Sequence, residues 1–215
     1  MSTLRPLILS LVFAALLAGP AVHESAMGQE AAGAADTPEA VVRRVAGDLL
    51  ESLEQNQEAY RADPSQLEKL VRRDLLPALD VEYSARLILG RAGRGATTEQ
   101  ISAFAQTMSD VLIDRYATGM LEYEGRERME ILPQRGELNE RATRVRTRVR
   151  TTNGAQVPVD YVFRKTDDGW KAFDVIVEGI SYVTTYRNQI MPQVDESGID
   201  AVTERLARGE LKLGE

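Results

Sequence analysis

Apolar residues recur at intervals of three and four through the first half of the chain, then at intervals of two. Val42, Val45, Leu49 and Leu53 make the first helical stripe. Thr37-Pro38-Glu39 ahead of it supplies a cap oxygen, a first-turn proline and an acid near the positive helix end, which predicts a helix over 38–56. Asp63-Pro64-Ser65-Gln66 repeats the start signal, with Leu67, Leu70, Val71 and Leu75 as the buried stripe and Pro77 as the end. Asp80 is placed to cap a short helix reaching Leu89, with Gly90 as its stop, and the Gly- and Arg-rich stretch 90–96 reads as a loop. Thr97-Thr98-Glu99-Gln100 opens what reads as the longest helix, Thr98 to Tyr123, stopped by Gly125. Its broad apolar face carries Ile101, Phe104, Ala105, Met108, Val111, Leu112, Tyr116 and Met120.

After Gly125 the period changes to that of a strand. Met129 to Leu132 is a first short strand. From Ala142 to Thr151 the chain alternates: Thr143, Val145, Thr147, Val149 and Thr151 on one face, Arg144, Arg146, Arg148 and Arg150 on the other. Asn153-Gly154 is a strong hairpin signal, and Val157 to Lys165 returns with Val157, Val159, Tyr161 and Phe163 on one face. Asp167-Asp168-Gly169 turns the chain into a last strand, Trp170 to Val177, apolar on both faces and so in need of cover on each. Gly179 breaks that strand. Ser181 caps a helix carrying Val183, Tyr186, Ile190, Met191 and Val194, with Pro192 as a point of kinking, and Gly198 and Asp200 begin a final short helix around Val202 and Leu206. The sum is an α+β fold: an antiparallel sheet of about four strands packed against several helices.

The N-terminus follows neither pattern. Leu7 to Ala18 is a compact apolar run behind Arg5, shorter than the roughly 20 residues a bilayer-spanning helix needs, and is followed by Gly19-Pro20 and small residues. It reads as a secretory signal peptide over 1–28, cut before Gln29; an N-terminal anchor and a cut nearer Ala21 are the alternatives. Residues 29–36 then form a flexible lead-in, and 37–215 a single domain.

Composition narrows the function. The net charge of -7 disfavours nucleic-acid binding, and the absence of Cys excludes disulfides, thiolate metal ligands and a cysteine nucleophile. The one histidine, His23, falls within the segment expected to be removed. Serine–histidine and cysteine–histidine catalysis go with it, and neither a metal nor a cofactor is expected. Asp174 and Glu178 are the best carboxylate pair for a hydrolase, but no row of aromatic sugar platforms accompanies them, and the simpler role for Glu178 is to bond backbone N–H groups at the strand-to-helix turn. Ser181 serves as a helix cap or, alternatively, helps present N–H donors to a phosphate headgroup. Arg144, Arg146, Arg148 and Arg150 form either a docking surface for anionic lipid or an acidic partner, or a solvated face paired with Glu127, Glu130 or Asp160. Phe104, Met108, Leu112, Tyr116, Tyr161, Phe163, Phe173, Tyr182 and Tyr186 make a core, or line a pocket if sheet and helices stand apart; periodicity does not separate the two.

The stretches VPVDYVF (Val157 to Phe163) and GWKAFDVIVEGISYVTTYRNQI (Gly169 to Ile190) resemble the MlaC family, the periplasmic phospholipid-binding component of the Mla lipid-transport system, also called the toluene-tolerance family. Leu89-Gly90, TEQISAF (Thr98 to Phe104) and LIDRYATGMLEYEG (Leu112 to Gly125) match in order, so that the resemblance spans Pro38 to Leu206. Two positions depart from it: the stretch after Gly90 is glycine-rich and lacks an aromatic, and Ile190 stands where Phe is expected. The resemblance implies a deep apolar pocket between sheet and helices, to which Val145, Val149 and Val159 are added as candidate lining. It implies a non-enzymatic carrier of phospholipid between an outer-membrane lipoprotein complex and an inner-membrane ABC transporter complex of the Mla type. An exported adaptor with a packed core and no ligand is the alternative from another class.

Overall fold

The computed structural model describes residues 37–122, 128–151 and 154–213. The signal peptide, the lead-in and His23 lie outside them, as do Tyr123, Gly125, Glu127 and Asn153. Helix α1 (Pro38–Ala62) starts where its cap predicts, with the Ala40 N–H donating to the Thr37 hydroxyl at 3.2 Å. It runs past the expected end at residue 56 through a kink at Asn56, whose side chain donates to the Ser52 carbonyl at 3.0 Å. A 2.6 Å bond between the Ser52 and Tyr60 hydroxyls ties the two limbs together.

Helix α2 (Pro64–Leu70) is capped by Asp63. It is shorter than expected and passes into a wide π turn, Val71–Leu75, and a tight 3-10 turn, Leu76–Ala78, that contains Pro77. Helix α3 (Val81–Ile88) is capped by Asp80, and its start is pinned to the sheet by the Asp80 N–H, which donates to the Ala172 carbonyl at 2.8 Å. The loop expected after Gly90 is instead a short helix, α4 (Gly90–Gly95). Glycine permits it: a Cβ on Gly93 would stand 2.7 Å from the Arg86 carbonyl oxygen, so α4 can fold this closely against α3 only without one.

Helix α5 (Thr98–Tyr116) has the full capping box between Thr97 and Gln100. It ends before the expected Tyr123, tightening into a 3-10 turn, Thr118–Glu122, and is the longest unbroken helix among the described residues. Helix α6 (Tyr182–Ala207) is broken at Gly198 (φ 82°), the point at which the second of the two helices expected after Ser181 begins, and Pro192 sits inside its first limb.

The strands are β1 (Arg128–Ile131), β2 (Thr143–Arg150), β3 (Gln156–Thr166), β4 (Gly169–Val177) and β5 (Ile180–Ser181), an antiparallel meander in sequence order. Register pairs Met129 with Val149, Val145 with Tyr161, and Tyr161 with Val175. Thr143 and Thr147 are accepted on the buried face because their hydroxyls donate to the Asn139 and Val159 carbonyls. The two-residue β5 escaped the periodic reading. It follows a tight turn in which Glu178 (φ 51°) and Gly179 (φ 82°) both take the left-handed backbone that two-residue hairpins of this hand require.

The two-faced pattern of β4 has a local cause. Register moves from Val162–Asp174 to Phe163–Ala172, which leaves Phe173 as the extra residue of a bulge. Helix α3 covers this point: the Ser84 hydroxyl donates to the Phe173 carbonyl at 2.7 Å and the Tyr83 ring meets Phe173 edge-on at 5.0 Å.

The interior forms two apolar clusters. One joins α1 and α2 to the buried sheet face through Leu49, Leu53, Leu67, Val145, Val149 and Val159. The other joins α3, α5 and α6 through Ile88, Phe104, Met108, Tyr186 and Ile190. Tyr182 leans on both.

Candidate functional site

Between the two clusters lies a cavity of about 210 Å³. Helix α1 supplies Val41, Val42 and Val45 to its wall; the turns before α3 supply Leu75, Leu76, Ala78 and Leu79. Helices α3 and α5 add Ala85, Ile88, Ala105, Met108, Leu112, Ile113 and Tyr116; β3, β4 and α6 add Tyr161, Phe163, Phe173, Val175, Tyr182, Val183 and Tyr186. Among the described residues no Lys or Arg lines it, and the one charged residue in its wall is Asp174. A hollow walled by aliphatic and aromatic groups gives water too few partners and suits hydrocarbon.

Of the candidate lining residues, the structure brings Met108, Leu112, Tyr116, Tyr161, Phe163, Phe173, Tyr182 and Tyr186 together around this space. Phe104 is buried in the helical cluster, and Val145, Val149 and Val159 in the sheet cluster; none of the four reaches the wall. The contributions of α1 and of the 75–79 turns went unread. Their signal was present: Val41 beside Val42 widens the apolar face of α1, and LLPAL (Leu75–Leu79) is apolar across turns that periodicity assigns to no face.

At the rim, the Asp174 carboxylate accepts from the Ser181 hydroxyl at 2.6 Å and from the Val183 N–H at 3.0 Å. The Ser181 hydroxyl in turn accepts from the Thr184 N–H at 3.0 Å, so it is engaged within the protein as donor and as cap. The first-turn N–H groups of Val183 and Thr184 are taken by these bonds. The role expected of Glu178 at the strand-to-helix turn thus belongs to Asp174; Glu178 is exposed.

The arginine row points away from the cavity. Arg144 pairs with Asp160 at 3.4 Å, Arg148 with Glu130 at 3.6 Å, and Arg146 donates to the Pro133 carbonyl at 2.6 Å, while Arg150 is exposed. Burial raises the hydroxyl pKa values of Tyr161 and Tyr186 above the ordinary tyrosine value. Both are therefore neutral at physiological pH. Among the described residues no group of acids or histidines is arranged to hold a metal ion, and no helix is long and apolar enough to cross a membrane.

Comparison with known proteins bears on the same region. The family model described as MlaC protein matches residues 43–208. The toluene tolerance protein ttg2D of Pseudomonas putida is 30% identical over 168 residues, covering 78% of this chain and 77% of that protein. The intermembrane phospholipid transport system binding protein MlaC of Haemophilus influenzae is 23% identical over 173 residues, covering 79% and 80%. A phospholipid-binding protein from Ralstonia solanacearum, solved in complex with a phospholipid, superposes with a TM-score of 0.69 at 24% identity, over 79% of this chain and 96% of that one, and shares its fold.

Proposed function

We propose that this chain, which belongs to the MlaC family, is a periplasmic phospholipid carrier that shields acyl chains in the apolar cavity and leaves the headgroup in water. The cavity carries this reading. Two apolar clusters that would gain by direct packing are held apart around a space whose wall carries no basic group among the described residues. The ligand class is supported by the Haemophilus protein, a phospholipid transport system binding protein, and by the Ralstonia protein, solved with a phospholipid bound. The need for such a carrier is physical: each acyl CH₂ exposed to water costs about 0.8 kcal/mol, which holds a two-chain lipid in its membrane.

In this reading residues 1–28 direct export, 29–36 form a lead-in, and 37–215 make the lipid-binding domain. It acts without catalysis, exchanging lipid with an inner-membrane ABC transporter complex and an outer-membrane lipoprotein complex of the Mla type. The cavity volume of about 210 Å³ falls below the roughly 300–1,000 Å³ of ordinary ligand pockets. A two-chain lipid therefore enters as the sheet and helical clusters move apart.

Native mass spectrometry of protein purified from a bacterial periplasm tests the reading. The expected result is a protein carrying phospholipid. A chain that arrives without lipid and, once delipidated, takes none from vesicles would sink it.

A further inference from the structure

The polar side chains in the cavity wall are almost all engaged within the protein. Ser84 donates to the Phe173 carbonyl and Ser109 to the Ala105 carbonyl, Asp174 is held by Ser181 and Val183, and the Tyr116 and Tyr186 hydroxyls bond one another. Tyr161 differs. It projects from the middle of β3, its side chain is buried and lines the cavity, and its hydroxyl is the buried side-chain polar atom without a partner among the described residues. A hydroxyl left unpaired among apolar groups is a standing cost in the free protein.

We propose that the Tyr161 hydroxyl donates a hydrogen bond to the ester carbonyl of a bound lipid, so that the cavity selects ester-linked acyl chains over chains without a carbonyl. This rests on the lipid-binding reading above and names the group recognised there. The wall decides which acceptor fits. A phosphate or a carboxylate at Tyr161 would be a buried anion with no Lys or Arg among the described residues of the wall and with Asp174 on the same wall. A neutral carbonyl satisfies the donor without bringing in charge. An ester held at a buried tyrosine also places both chains inside and directs the phosphate outward, where water solvates it.

The test is a competition. Delipidated wild type and Tyr161→Phe are exposed to vesicles containing equal amounts of diacyl phosphatidylglycerol and its dialkyl ether counterpart of the same chain length, and bound lipid is counted by mass spectrometry. Wild type should prefer the ester by about five- to tenfold, the scale of one neutral hydrogen bond. Tyr161→Phe should take both about equally. The melting temperature of delipidated Tyr161→Phe should equal or exceed that of wild type; a clear fall would show the hydroxyl satisfied in the free protein and count against the proposal. An ester-to-ether ratio that is the same in both proteins overturns it while leaving lipid binding intact. If wild type takes neither lipid, the carrier reading itself fails, and this inference with it.

Discussion

Val149 and Phe163 sit on adjacent strands of one sheet face, and each is 2% exposed. Val149 is closed in by the sheet cluster and does not reach the cavity, while Phe163 forms part of its wall. The same contrast divides the helical side, where Phe104 is buried in the helical cluster outside the wall and Leu112, further along α5, lines the hollow. Burial from solvent is therefore not a measure of packing: a side chain can be hidden from water and still lack neighbours on one side. At about 24 cal/mol per Å³, a hollow of 210 Å³ forgoes roughly 5 kcal/mol against a filled core. That is comparable with the whole stability of many domains, so the hollow region is intelligible only through what occupies it.

The contrast is sharpened most by truncation. Phe104→Ala should cost about 3–5 kcal/mol, because Phe104 is fully buried in the helical cluster and outside the cavity wall. Leu112→Ala enlarges a space that already exists and removes a half-buried side chain, and should cost less than about 2 kcal/mol. Urea unfolding of the delipidated proteins measures both. Equal losses would mean that the two regions are packed alike.

Filling gives the converse. Val149→Trp overpacks the solid region and should cost about 1–3 kcal/mol or more. Leu112→Trp should keep most of the stability of the free protein and lower the lipid carried per protein. Delipidated wild type is the reference, because bound ligand raises apparent stability by mass action. A Leu112→Trp protein that unfolds, or that carries a full lipid load, would contradict the division.

Much of the frame was legible beforehand because its causes are local. Thr37, Asp80, Thr97 and Ser181 cap helices as their side chains suggest, and the alternation of β2 separates arginines from valines in the structure as it does in the sequence. The hollow was not legible from periodicity. A stripe specifies which residues turn inward, and Val149 and Phe163 read alike on that score. What distinguishes them is where α1 and the Leu75–Leu79 turns lie relative to the sheet, and that placement is tertiary. Periodicity leaves core and pocket as alternatives and the family resemblance favours the pocket, while strand alternation alone puts Val145, Val149 and Val159 on the face turned toward it. The bulge at Phe173, the Glu178-Gly179 hairpin and α4 were missed because each breaks the period on which the reading relied.

Alkaline pH probes the tyrosines of the hollow region. Burial holds Tyr161 and Tyr186 above the ordinary pKa of about 10 in the folded protein, whereas the unfolded chain ionises near it. The folded state thus binds more protons from about pH 10 upward, and stability falls as pH rises beyond that point. Below it these groups contribute no slope. Tyr161→Phe should flatten the alkaline limb of a stability–pH curve, which chemical denaturation at a series of pH values measures. A limb as steep in the variant as in wild type would mean that water reaches the hydroxyl in the free protein.

The smallest effect is expected on the far side of the sheet. Arg144 and Arg148 lie on the face opposite Val145 and Val149, and even those valines stand behind the cavity wall. Their partners Asp160 and Glu130 form ion pairs across strands, with both arginine side chains about half exposed, so each pair is worth roughly 0.2–1 kcal/mol and is screened by salt. Replacing both arginines by Gln should therefore shift stability by at most about 2 kcal/mol, and by less in high salt. Lipid per protein should not change at all, because neither Arg144 nor Arg148 lines the cavity. If this face serves docking on an acidic partner or an anionic membrane, the double variant should show slower, less salt-sensitive lipid transfer at full lipid load. Loss of co-purified lipid from the same variant would place the row at the cavity entrance and reverse the assignment of the two faces of β2.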